Sequence, residues 1–185
     1  ADHNGVVNFA ESTDTVAANI REIAPTFFLG VPRIWEKLQQ HFLFRTREAG
    51  NRWNALFQLA LRRGHALAAQ RAAAQGRRTR LQALEFGFWQ WLLLRNVQRH
   101  MGLDRSTVRI CGGASVSPET LRFFDAIGLP ICQGYGLTES CGMAFVQRPG
   151  AGSRPGTCGQ ALEGVQWRFE EDGEILLHSP AVFKG

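Results

Sequence analysis

The four cysteines of this 185-residue chain, Cys111, Cys132, Cys141 and Cys158, make no CxxC pair and have no histidine nearby at metal-ligand spacing. That spacing argues against a zinc site or a redox dithiol and predicts reduced, mostly buried thiols. No apolar run reaches transmembrane length, so no spanning helix is expected. The opening "ADHNGVVNFAES" has no basic segment followed by an apolar one, and no secretory signal is read there. A reducing, cytoplasmic setting is the expectation, with peripheral contact at the inner face of a membrane left open. Internal repeats are absent, and low complexity is confined to an Ala/Arg/Gln stretch. The formal charge of +5 comes from an arginine-rich excess between Arg45 and Arg109. With no recognised nucleic-acid motif, and with the charge on Ala-rich helices, it reads as a solvated face and no nucleic-acid partner is expected. The chain opens without Met and stops at "SPAVFKG", directly after a strand-like run. It is therefore expected to be a segment of something larger.

What is present is an ordinary globular composition, 44% hydrophobic, long enough for one sizeable core. "GVVNFA" (5–10) fits a short buried strand, after which Ser12, Thr13 and Asp14 offer capping oxygens for a helix through Ile23. "PTFFLG" (25–30) has the same buried-strand look, and Pro32 suits the first turn of a helix in "VPRIWEKL". This strand, helix, strand, helix alternation predicts an α/β domain, a mostly parallel sheet flanked by helices. From Ile34 to about Gln75, Leu56, Leu59, Ala60 and Leu67 repeat at helical spacing. "AQGRRTR" (74–80) breaks the pattern, and a second helix carries Phe86, Trp89, Leu93 and Val97 on one stripe to about Met101. Residues 34–101 thus predict a helical hairpin beside the sheet. The aromatics Phe86, Phe88, Trp89 and Trp91 are read as core in preference to a tunnel lining or a membrane contact.

The α/β rhythm then resumes. "STVRICGGAS" gives a strand ending at Gly112 and Gly113, "SVSPETLRFFDAIG" a helix with Ser117 as cap and Pro118 in its first turn, and "LPICQGYG" the next strand and its loop. "VQWRFEEDGEILL" predicts a C-terminal β-hairpin turning at Asp172-Gly173. Two glycine-rich corners, "GGAS" (112–115) and "QGYGLTE" (133–139), each follow the carboxyl end of a predicted strand, where open α/β sheets bind ligands. Glycines there let a ligand lie against bare backbone, with N–H groups free to meet phosphate oxygens. Tyr135 offers a face for a flat base, Thr138 a hydroxyl donor and Glu139 a hard oxygen for Mg²⁺.

"VPRIWEKL", "GGASVSPETLRFFDAIGLPICQGYGLTES", "GTCGQALEGV" and "DGEILLHSPAVFKG" occur in the order and with the approximate spacing of AMP-forming acyl-CoA synthetases, and the chain most resembles their long-chain fatty acid branch. The resemblance covers nearly the full chain. It implies an ATP- and Mg²⁺-dependent ligase that joins a fatty acid to AMP and passes the acyl group to coenzyme A. By matching positions, Tyr135 would stack on adenine, and Gln133, Gly134 and Gly136 with the backbone at Gly112, Gly113 and Ala114 would frame the nucleotide. Thr138 would hydrogen-bond the α-phosphate and Glu139 would hold the metal. Trp35 stands where long-chain members carry an aromatic gate to the acyl tunnel, with plain core packing as the alternative. The nucleophile is the substrate's own carboxylate, so the absence of a Ser-His-Asp or Cys-His pairing is expected. The chain departs from the family at Glu163-Gly164, usually Pro-Gly, and at His178-Ser179-Pro180, usually Arg-Gly-Pro. It also lacks the upstream phosphate loop, the ribose-binding Asp and the C-terminal lid domain. It reads as an incomplete adenylation domain over 1–185, inactive alone, with the missing parts of the same enzyme as partners. A non-catalytic nucleotide- or acyl-binding module, or a medium-chain or aryl acid ligase, are the alternatives.

Overall fold

The computed structural model describes residues 5–12, 14–48, 50–74, 79–148 and 155–183. Its order is α1 (Val16–Ile23), β1 (Phe27–Gly30), α2 (Pro32–Glu48), α3 (Asn51–Ala73), α4 (Arg80–Trp89), a π turn (Gln90–Leu94), α5 (Arg95–His100), β2 (Val108–Cys111), α6 (Pro118–Ala126), β3 (Cys132–Leu137), a 3₁₀ turn (Thr138–Ser140), β4 (Gly142–Val146), β5 (Gln160–Ala161), β6 (Gln166–Phe169) and β7 (Ile175–His178). β1 to β5 form one sheet in chain order, and β6 and β7 a separate hairpin. The α/β units supply the parallel part: Gly30 pairs with Cys111 and Cys111 with Gln133, so β1, β2 and β3 reach one carboxyl edge together. β4 and β5 then add antiparallel strands.

The core lies between this sheet and the helices. Trp35, Leu94, Leu103, Leu121, Phe124, Ile127 and Ile131 are each wholly removed from solvent. α6 forms as its sequence directs: the Ser117 hydroxyl accepts from the Thr120 N–H at 3.1 Å, Pro118 opens the first turn, and Leu121 and Phe124 fall on the buried face. α4 is opened by Thr79, whose hydroxyl accepts from the Gln82 N–H while the Gln82 side chain accepts from the Thr79 N–H, a reciprocal capping box. The β6–β7 turn places Gly173 at φ +89, the left-handed conformation that glycine adopts without strain.

Several expectations are corrected. "GVVNFA" forms no strand: Val6, Val7 and Phe9 are 85%, 74% and 89% exposed, and no described strand pairs with them. β1 exists but is not a buried strand, because Phe27 and Leu29 are both 55% exposed. Residues 34–75 are not one helix, since α2 ends at Glu48 and α3 begins at Asn51 after Gly50, which has φ +100. The hairpin is therefore made by α3 against α4, the π turn and α5, with α2 as a third helix. Phe86 and Trp89 pack on the core, but Phe88 and Trp91 face solvent, as does Leu59. Only half of the cysteines are buried: Cys111 and Cys132 are, Cys141 and Cys158 are exposed, and all four are free. Ser12 serves the turn before α1, accepting from Thr15 N–H, and the helix begins at Thr15 without a side-chain cap. Thr13 as a cap, residues 75–78 of the helix break and the last two residues of the "FKG" terminus lie outside the described residues. Of the described arginines from Arg45 to Arg109 all are exposed except half-buried Arg71 and buried Arg109, so the solvated face holds for the helices but not for Arg109 on β2. Among the described residues no helix is long and apolar enough to cross a membrane.

Candidate nucleotide site

The two glycine corners come together at the carboxyl edge of the parallel strands. A Cβ built on Gly112 would have the Gly134 carbonyl oxygen as its only neighbour within 4 Å, at 3.4 Å. Gly113, at φ +85, turns the chain away from β2, and its nearest neighbour would be Val31 Cγ1 at 3.8 Å. This first corner is open, with backbone accessible on the side away from the sheet. The second corner is closed. A Cβ on Gly134 would meet Met143 Sδ at 2.6 Å, and one on Gly136 would meet the Gly142 carbonyl oxygen at 1.7 Å. β4 folds back so tightly on β3 that Gly136 admits no side chain, while at Gly134 the Met143 side chain would have to move. The glycines of the second corner are explained by strand packing, and those of the first are not.

The polar groups stand on β3 and the turn that follows it. Tyr135 is half-buried and pairs across the sheet with Phe145, with ring centroids 6.0 Å apart. The aromatic contacts continue through Trp167 to Phe169, so the β6–β7 hairpin buttresses the Tyr135 side of the site. A register shift between Tyr135 and Gly136 bends β3 there, as a bulge does. Thr138 and Glu139 then sit exposed on the 3₁₀ turn, and neither side chain has a hydrogen-bond or ion-pair partner among the described residues. Ser140, to which sequence reasoning gave no role, fixes that turn. Its hydroxyl accepts from Leu137 N–H at 3.1 Å and lies 3.0 Å from the carbonyls of Leu137 and Gly142. Phe183 N–H donates to the Glu139 carbonyl at 3.1 Å, which ties the C-terminal segment to the same turn.

Gln133 is not turned toward the corner. It is buried, its amide N–H donates to Gln147 Oε1 at 3.1 Å and its side-chain Nε2 donates to the Thr157 carbonyl at 3.1 Å. Gln147, also missed from sequence, donates to the same carbonyl at 2.9 Å. A single Gln outside a recognisable element carries no sequence signal for such a bracket. Trp35 lies behind the site. It is fully buried, edge-on to Phe28 and Phe124 at 5.0 and 5.1 Å, and its Nε1–H donates to the Gly30 carbonyl at 3.2 Å. A gating motion would have to part those three contacts. Arg33 is exposed and Lys37 pairs with Asp14 at 3.1 Å, both on the surface of α2.

The strands entering the corners are dry. Burial pushes the Cys111 thiol up to about 12, with Glu36 adding to the effect, and it raises Cys132, partly opposed by Arg109. Arg109 is itself lowered by burial and spends its donors on the carbonyls of Pro130 and Ser106. Among the described residues no three His, Cys, Asp or Glu side chains gather as a metal centre. Glu139 offers one exposed carboxylate, without an ion-pair partner among the described residues. That fits Mg²⁺, which commonly takes one or two carboxylates and completes its shell with phosphate oxygens and water.

Residues 4–185 match the family model described as AMP-binding enzyme. The Mycobacterium tuberculosis protein fadD11, which carries the name of a fatty-acid–CoA ligase, is 34% identical over 92% of this chain and 30% of its own length. The long-chain-fatty-acid–CoA ligase ACSBG2 of Gallus gallus is 31% identical over 92% of this chain and 22% of its own. Apo MatB from Rhodopseudomonas palustris superposes with a TM-score of 0.50 at 22% identity, over 91% of this chain and 26% of that one, a likeness of fold. The chain therefore spans less than a third of the length of the curated relatives it matches. The family model covers nearly the whole chain, and this chain belongs to the AMP-binding enzymes.

Proposed function

We propose that this chain forms the adenylate-binding wall of a ligase that activates a long-chain fatty acid with ATP and transfers the acyl group to coenzyme A. The observation that carries this reading is the pair of side chains on one turn, Thr138 and Glu139, without a partner among the described residues, at the end of the strand whose Gly134 carbonyl faces Gly112. A polar side chain held on a fixed turn without a protein partner is preorganised for a ligand, and preorganised donors stabilise developing charge with little reorganisation. Thr138 would donate to an α-phosphate oxygen, and Tyr135 would offer its open ring face to adenine. Glu139 would hold Mg²⁺, which when bound supplies charge neutralisation at the phosphates. The backbone at Gly112 to Ala114 would frame the base; Gln133 would shape the pocket through its bracket with Thr157.

The long-chain preference is supported by the named relatives, and Trp35 is the residue proposed to gate the acyl path. The phosphate-gripping loop, the ribose ligand and the lid would come from other parts of the same enzyme. Phosphoryl chemistry depends on positioning and charge neutralisation, so the 185 residues alone should bind weakly and turn over little.

The test is titration of the chain with AMP and Mg²⁺ by NMR, beside a pyrophosphate-exchange assay. Saturable shifts at the amides of Gly112, Gly113 and Thr138, lost in Tyr135→Ala, are expected, with exchange near background. Millimolar AMP that leaves those amides unmoved would overturn the site, and robust exchange would overturn its incompleteness.

A further inference from the structure

A cavity of about 510 Å³ lies between α1, α2, α3, the π turn and α5, within the range of small-ligand clefts. Its floor is apolar: Phe42, Phe57, Leu93 and Val97, with Trp53 along one side. Phe42 and Phe57 meet edge-on at 5.2 Å. Its rim is cationic or basic, from Arg21, His41, Arg45 and His100, and no carboxylate lines it. Arg21 Nη2 donates to His41 Nε2 at 3.2 Å. Among the described residues neither Arg21 nor Arg45 is in an ion pair. Two positive charges thus stand uncompensated over an apolar floor.

The topology sets this cavity at the opposite edge of the sheet from the nucleotide corner. α2 leaves the carboxyl edge at Pro32, so His41 and Arg45 lie roughly 14 and 20 Å further along it at 1.5 Å per residue. α1 and α5 end just before β1 and β2 begin. A Cβ on Gly102 would strike the backbone of Ile20 and Arg21, which locks those two ends together.

We propose that this cavity is a second, non-catalytic site for an anionic amphiphile, its alkyl chain on the Phe42–Phe57–Leu93–Val97 floor and its carboxylate or phosphate head between Arg21 and Arg45. Apolar burial drives such binding, and charge-assisted hydrogen bonds from two guanidiniums select the sign of the head. A head group held there is too far from Thr138 to react, so the occupant is not a substrate in its reacting pose. The proposal stands apart from the adenylate reading.

Calorimetric titration tests it, using decanoate and dihexanoyl phosphatidic acid below their aggregation concentrations, with decyltrimethylammonium as the cationic control. The expected result is saturable one-site binding of at least one anion and none of the cation. Tighter decanoate binding would identify a fatty acid, and tighter phosphatidate binding a phospholipid head. The double variant Arg21→Glu/Arg45→Glu should weaken binding at least about tenfold, and Trp53→Gln should weaken it less; Arg45→Gln serves if the double variant loses its circular dichroism. Tyr135→Ala and added AMP should leave it unchanged. Equal binding of the cation, an unaltered affinity in the charge variants, competition by AMP, or no saturable binding of either anion would each overturn the proposal.

Discussion

The two glycine corners look alike in sequence and differ in what surrounds them. Gly112 and Gly113 have room for a Cβ at ordinary contact distance, whereas Gly134 and Gly136 are pressed against β4. Glycine at the second corner is a requirement of packing, and at the first it leaves backbone bare for a ligand. The lesson is that a glycine is informative about binding only after its steric reason has been subtracted.

The largest expected contrast is in thiol reactivity, which asks whether the strands behind both corners are equally closed. Cys111 and Cys132, buried and held protonated, should react with a thiol reagent at neutral pH at least about a hundredfold more slowly than exposed Cys141 and Cys158. Mass spectrometry of timed labelling reads this directly, and comparable rates would show the core open at that edge. The same burial has a pH consequence. The unfolded chain loses these thiol protons before the folded chain does, so stability should decline as pH rises from the ordinary thiol range toward about 12.

Next in size is Gly136→Ala, whose methyl would sit 1.7 Å from the Gly142 carbonyl oxygen. Neither partner can yield without moving a strand, so a loss of about 3 kcal/mol or more is expected in urea melts. Gly134→Ala should cost less, because the Met143 side chain in its way can rotate. A smaller effect still, about 1–2 kcal/mol, is expected for Gly113→Ala, where φ +85 burdens any Cβ although space is available. Gly112→Ala sharpens the comparison most. Its melt should shift by less than about 0.5 kcal/mol, yet AMP affinity should fall, because the methyl would occupy the space proposed for the nucleotide. A variant that melts early and binds normally would reverse the assignment of the two corners.

How far all this was readable from sequence depends on how local each determinant is. α6, with Ser117 and Pro118 at its start, and the turn at Gly173 are written in adjacent residues, and both form as read. The "QGYGLTE" corner, read as following a strand, is itself strand β3 from Gln133 to Leu137, because β4 pairs with it, and only Thr138 and Glu139 stand on the turn beyond. β4 and β5 were not foreseen, since "GMAFV" and a two-residue strand gain their identity from pairing with distant partners. The break at Gly50 was hidden in a continuous run of helix formers, where one glycine is tolerated in either conformation. "GVVNFA" failed in the other direction, because apolar composition marks a strand only when something pairs with it. Burial of Gln133 and exposure of Phe27 have the same character, being properties of the neighbourhood and not of the residue.

The π turn at Gln90–Leu94 means that the helix running from Arg80 to His100 holds one residue more than an α-helix joining the same anchors would need. Its anchors are Phe86 and Trp89 before the turn and Val97 and Gln98 after it, with Gln98 Nε2 donating to the Ile127 carbonyl at 2.8 Å and Nε2 of Gln90 donating to Gln98 Oε1 at 2.8 Å. The surplus is taken up where Trp91 stands 77% exposed. Leu93 and Leu94, inside the turn, stay buried in the core, so the extra residue is accommodated on the solvent side at Trp91 without lifting the apolar side of the helix.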